Sequence, residues 1–138
     1  MKGISEEEFI SLCEELHKAI LDSYDKKEKD DKPKEGIDFT EILIISAASN
    51  IIDESKGFID TEDEKMQELF HEVFSLARSI KQNAQFASHH KANLKRNLSD
   101  NELEQSALAF ITTRKILLTS YKNALIATDK VLNMGRKK

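Results

Sequence analysis

Two Glu-x-x-His pairs are the residues in this sequence whose spacing comes closest to a metal site. Glu14 and His17 form one pair, and Glu68 and His71 form the other. Helical bundles that hold a di-iron centre use two such pairs plus a Glu from each remaining helix. At 100° per residue, however, Glu14 points well over 90° away from the apolar stripe around it, and Glu68 and His71 lie on the far side of theirs. The sequence therefore predicts no metal site and no cofactor.

Other catalytic patterns are also missing from the sequence. The adjacent His89 and His90 cannot share a helix face, and the His-x-x-Lys-Gly pattern of phosphotransfer bundles is absent. There is no Gly-rich phosphate loop, no Cys-x-x-Cys and no nucleophile elbow. Cys13 is the only cysteine, and its spacing to Phe9 and Leu16 predicts a small core residue. We expect a protein that is not an enzyme.

The elements that would position these residues are predicted to be helices. With 4 Gly and 1 Pro in 138 residues, the chain has little material for the turns of a β-protein. Four segments begin with the pattern of a capping box. In each, a side chain can accept a hydrogen bond from the backbone N–H three residues later, and that later residue is a Glu. They are Ser5 with Glu8, Asp38 with Glu41, Thr61 with Glu64, and Ser99 with Glu102. Apolar stripes of helical period follow each of them.

The predicted fold is an all-α, four-helix antiparallel bundle in one domain, residues 1–138. Two short helices, residues 5–24 and 39–55, are joined by a charged loop at 25–37, and two long helices cover about 61–95 and 99–135. The apolar run at 42–45 also fits a strand, but its spacing to the next apolar residues favours a helix. Because the first two helices are short, the long pair should protrude as a hairpin, about residues 81–115, by about 25 Å.

One charged residue is predicted to lie inside the bundle. Arg114 falls on the apolar stripe between Phe110 and Leu117, where an unpaired charge is costly. The helix lengths place it near the start of the second helix, where Glu41 begins an inward-facing stripe. A buried ion pair of Arg114 with Glu41 is the favoured interpretation, and contact of Arg114 with a ligand is the alternative.

Charge divides the chain into two halves. Residues 1–75 carry net −12 and residues 76–138 net +8. Packing of one half on the other explains this as well as an external partner does. Five basic residues of the hairpin form a candidate anion-binding surface: Lys81, Lys91, Lys95, Arg96 and Lys115. Such a surface suits a phosphate backbone, so a small nucleic-acid-binding subunit is the alternative function.

Apolar residues of the hairpin favour a protein partner instead. Two helices alone bury only one seam, yet the hairpin keeps Phe86, Leu94, Leu108 and Phe110. Either the bundle bends back over these residues, or they are scattered surface residues, or a partner covers them. We expect a cytoplasmic interaction module, an adaptor, regulator or inhibitor, that binds another protein or a second copy of itself. No apolar run reaches the length that a bilayer needs, so no membrane contact is expected.

Overall fold

The fold is an all-α bundle of four helices packed against each other, as the sequence predicts. The computed structural model describes residues 3–29, 39–93 and 99–136. Its elements, in chain order, are β1 (Ile4–Ser5), α1 (Glu6–Lys29), α2 (Phe39–Ser55), β2 (Ile59–Asp60), α3 (Glu64–Asn93) and α4 (Asp100–Arg136). The helices contain 24, 17, 30 and 37 residues. Four residues named in the predictions lie outside the described residues: Leu94, Lys95 and Arg96 of the predicted binding surfaces, and Asp38 of a predicted helix cap.

Each helix packs on two neighbours around the bundle. α1 lies against α2 and α4, and α3 lies against α2 and α4. The register between α1 and α4 can be read from two contacts. A Cβ on Gly135 would lie 3.1 Å from Ile10, and His17 Nδ1 is 3.0 Å from Thr128 Oγ1. From Ile10 to His17 the contacts advance seven residues along α1, while their partners move back seven residues along α4, from Gly135 to Thr128. The two helices are therefore antiparallel.

The core consists of the apolar stripes that the sequence predicts. Phe9 and Phe70 meet edge to face, with ring centroids 5.2 Å apart, and Phe74 stacks on Phe70 at 5.8 Å. Cys13 is fully buried in this core, which confirms its predicted role. Burial raises the pKa of the Cys13 thiol, so it stays protonated and unreactive at neutral pH.

The helix ends agree with the sequence in part. α2 has the predicted bounds, and Gly57 after it has φ +90°, the left-handed conformation expected of a helix cap. α4 starts with the predicted capping box: Glu102 N donates to Ser99 Oγ at 3.3 Å, and Ser99 N donates to Glu102 Oε2 at 3.2 Å. In α1, Glu8 N donates to Ser5 Oγ at 3.1 Å. Local sequence rules therefore place these three ends correctly.

Three predicted ends are wrong. α1 continues to Lys29, five residues into the predicted loop, because the Lys and Glu residues there are good helix formers. α4 runs through Gly135 to Arg136. α3 is capped by Asp63, whose Oδ1 accepts from Lys65 N at 3.0 Å, and Thr61 does not cap it. The Thr61 hydroxyl instead donates to the Glu6 carboxylate of α1.

A small two-stranded sheet at the base of the bundle, which we call the clasp, was not predicted from the sequence. β1 and β2 pair in parallel, Ile4 with Ile59, and Ile4 N donates to Phe58 O at 3.1 Å. Gly3 passes so close to this segment that a Cβ on it would lie 1.9 Å from Phe58 O. The clasp fixes the start of α1 beside the start of α3.

Candidate functional site

A buried ion pair marks the level at which α2 begins. Arg114 Nη1 lies 2.5 Å from Glu41 Oε1, and the Glu41 side chain is fully buried while Arg114 is 15% exposed. The structure thus brings together the two residues that the sequence paired. The charge of Arg114 is satisfied inside the protein, so it does not belong to the anion-binding surface.

The α3–α4 hairpin extends past this ion pair. Ser79 Oγ and Ser120 Oγ are 2.9 Å apart, which sets the register of α3 against α4 and puts residue 85 of α3 level with Arg114. The α1–α4 register places Lys29, the last residue of α1, level with residue 116. From Asp100 to Arg114, α4 therefore rises about 21 Å beyond the level of this ion pair. We use the term hairpin tip for residues 86–93 and 99–113.

Burial in the hairpin tip is limited to one narrow seam. Ala87 is fully buried, and Thr113 is the first buried residue of α4. Large apolar side chains remain in solvent, since Phe86 is 48% exposed and Leu108 is 59% exposed. Phe110, also predicted to bind a partner, is half-buried. The structure thus leaves Phe86 and Leu108 accessible and turns Phe110 partly inward.

The exposed apolar residues of α4 continue as a stripe down the helix. Leu108, Ile111, Lys115 and Leu118 follow each other at intervals of three, four and three, so they share one helix face. Ile111 is 50% exposed and Leu118 36%. We call these four residues the α4 stripe. The sequence analysis had noted Leu108 but had not joined it with Ile111 and Lys115 in one face.

The three described residues of the predicted basic surface lie on two helices. Lys115 lies on the α4 stripe, and Lys91 lies in the last turn of α3, at the hairpin tip. Lys81 instead lines a cleft together with Arg78, at the border between α2 and α3. The sequence analysis missed Arg78, although its spacing of three from Lys81 and seven from Gln85 was a readable signal.

The two Glu-x-x-His pairs do not form a metal-binding group in the described part of the chain. Glu14, Glu68 and His71 are exposed, and His17 contacts the hydroxyl of Thr128. Among residues 3–29, 39–93 and 99–136, no three His, Cys, Asp or Glu side chains are grouped as metal ligands would be.

Comparisons with known protein families, curated proteins and solved structures found no match to this chain. Within the described residues, no helix combines the length and the apolar character needed to cross a bilayer. Any conclusion about function must therefore come from the surfaces of the molecule itself.

Proposed function

We propose that this protein is a non-enzymatic, cytoplasmic interaction module, an adaptor, regulator or inhibitor, that binds another protein through its α3–α4 hairpin. The observation that carries the proposal is the α4 stripe, where Leu108 and Ile111 are at least half exposed at the end of the molecule. Apolar side chains grouped on one exposed helix face are a feature of protein-binding surfaces.

The exposed apolar side chains of the hairpin tip supply only part of the affinity. Fully burying a Leu, Ile or Phe side chain stabilises by roughly 1.5–3 kcal/mol, so the half-exposed Phe86, Leu108 and Ile111 offer about 1 kcal/mol each. Together they supply about 3 kcal/mol, which is too little for a stable complex after the cost of association. Charged contacts at the edge of the interface must therefore add specificity and increase the rate of association.

The net charge of the C-terminal half of the chain favours an acidic partner. Lys115 interrupts the apolar stripe, and the chain from residue 76 onward carries net +8. An amphipathic helix with acidic residues beside its apolar face matches both features. The N-terminal part of a second copy, residues 1–75 with net −12, has the same charge character, so self-association is an outcome that the experiment must separate.

Site-specific photo-crosslinking in cells tests the proposal. A crosslinker placed at Leu108 should capture one defined protein, and the same crosslinker at Ile126 should not. Ile126 is the matched control because it is 48% exposed on the same face of α4 but lies about 27 Å from Leu108 along the helix. With the purified partner, the double substitution Leu108→Ser and Ile111→Ser should weaken binding by roughly 10- to 30-fold, while Ile126→Ser changes it less than about twofold.

Three results would contradict this function. Equal crosslinking at Leu108 and Ile126 would show that the α4 stripe is not a binding surface. A dimer in light scattering that the two Ser substitutions dissociate would identify the partner as a second copy. Binding of a short duplex or single strand at low salt would favour the nucleic-acid alternative. If four basic residues of the hairpin, Lys91, Lys95, Arg96 and Lys115, each contact a phosphate, the slope of log affinity against log salt should be near −3, at about −0.7 to −0.9 per phosphate.

A further inference from the structure

A cleft of about 280 Å³ lies between α2 and α3. Ile52 lines it from α2, and Arg78, Lys81, Gln82 and Gln85 line it from α3. The four α3 residues are spaced at i, i+3, i+4 and i+7, so they belong to one helix face. The described lining of the cleft thus combines cationic and amide side chains of α3 with one apolar side chain of α2.

The two cations of this cleft are not neutralised within the described part of the chain. Neither Arg78 nor Lys81 forms an ion pair there, in contrast to Arg114, which is held by Glu41. The described lining of the cleft also includes no carboxylate. In a protein with an overall net charge of −4, two such cations facing one cleft create a local positive potential that attracts anions.

The hydrogen-bonding groups of the lining suit an oxyanion. The guanidinium of Arg78 has five N–H donors, the ammonium of Lys81 has three, and each carboxamide adds two. Arginine can hold two oxygens of one phosphoryl group at once, and lysine adds a compact positive charge beside it. A phosphate monoester carries about −1.5 to −2 at neutral pH, which balances two cations better than a single carboxylate does.

We propose that this cleft binds a small phosphorylated compound, with its phosphoryl group between Arg78 and Lys81 and its apolar part against Ile52. The cleft is larger than an inorganic phosphate ion and lies near the lower end of the usual size of ligand pockets, so it suits a small molecule. This site is separate from the α4 stripe, and it stands whether or not the hairpin binds a protein.

Titration of the full-length, isotope-labelled protein with phenyl phosphate tests the site by nuclear magnetic resonance. Saturable shifts should be confined to the backbone amides around residues 78–85 and Ile52. Phenyl phosphate should bind more tightly than inorganic phosphate because its ring contacts Ile52. The double substitution Arg78→Gln and Lys81→Gln removes two charged contacts and should weaken binding by about tenfold or more.

A second double substitution controls for general loss of positive charge. Lys122→Gln and Lys130→Gln remove two exposed lysines of α4 outside the cleft and should leave the affinity unchanged. The proposal is overturned by shifts spread over many lysines, by equal affinity of the two double variants, or by no shift at millimolar phenyl phosphate. A phosphoserine peptide that binds more than about tenfold tighter than phenyl phosphate would assign the cleft to a phosphorylated protein instead.

Discussion

Replacing Arg114 with Met should destabilise the protein far more than replacing an exposed cation does. Arg114 Nη1 lies 2.5 Å from the carboxylate of Glu41, which is fully buried. The substitution removes the guanidinium that neutralises the Glu41 charge in the core. Removing one member of a buried ion pair costs about 3–5 kcal/mol of unfolding free energy.

Replacing the other partner, Glu41, should lower the free energy of unfolding by less, because the two partners differ in exposure. Glu41→Gln leaves a buried amide and a guanidinium that is already 15% exposed and can extend into solvent. We expect a loss of about 1–3 kcal/mol. The combined variant Glu41→Met and Arg114→Met leaves no buried charge and should lie within about 1 kcal/mol of the original protein.

These free energies are large enough to measure by thermal or urea unfolding. An unfolding entropy of about 2.1 cal/mol/K per residue gives about 0.3 kcal/mol/K for this chain, so Arg114→Met should lower Tm by roughly 10–17 °C. Urea unfolding followed by circular dichroism gives the free energies directly, at an unchanged m value. Lys115→Met, next to Arg114 but exposed, is the control and should change stability by less than about 0.5 kcal/mol. Additive single substitutions would refute the coupling, and a cost below about 1 kcal/mol for Arg114→Met would refute the burial argument.

Three further predictions concern the base and the core. Gly3→Ala forces a Cβ against Phe58 O and should break the clasp, with a loss of about 1–3 kcal/mol in urea unfolding and faster exchange of the Ile4 amide; unchanged exchange would contradict this. Burial raises the pKa of the Cys13 thiol in the folded protein, so as pH rises this thiol ionises in the unfolded chain first, near pH 8.5. The free energy of unfolding should therefore fall above that pH, by up to about 1.4 kcal/mol per pH unit. Cys13→Ala should remove that part of the alkaline loss, and an identical pH profile would count against it. Asp63→Ala should cost about 1 kcal/mol through the lost cap of α3, and an unchanged urea midpoint would argue against Asp63 as the cap.

The parts of the fold that the sequence predicts well are those set by neighbouring residues. α2 runs from Phe39 to Ser55 as expected, and the turn after it contains Gly57 at positive φ because glycine has no Cβ to clash there. The capping box of Ser99 and Glu102 likewise depends on residues three apart. Such features require no knowledge of distant contacts, so periodicity and capping rules find them.

Features that depend on distant contacts were missed. A strand of two residues has no periodicity, so the pairing of Ile4 with Ile59 was not predictable from either segment alone. Thr61 has the right spacing for a cap, but Glu6 of another helix takes its hydroxyl, and Asp63 becomes the cap of α3. In both cases a tertiary contact outweighs a local preference.

The candidate sites show the same division. Glu41 and Arg114 could be paired because a charge on each of two inward-facing stripes requires a partner at the same level. The sequence alone could not show that Lys81 and Arg78 line one cleft, because their grouping depends on which side of α3 faces α2. Lys81 consequently belongs with Arg78 in the cleft, while Lys115 belongs to the α4 stripe.

The exposed apolar residues and the marginal support of the hairpin tip have a common origin. Beyond Arg114, the described part of α4 packs on α3 along a seam where Ala87 allows close approach but buries little area. A helix gains most of its stability from packing of its apolar face, so this end of the bundle depends on its capping box and opens more easily than the base. A partner that covers Leu108 and Ile111 stabilises the closed hairpin as it binds, because it adds the apolar contacts that α1 and α2 provide at the base. The feature that weakens the isolated hairpin is thus the same one that favours its association.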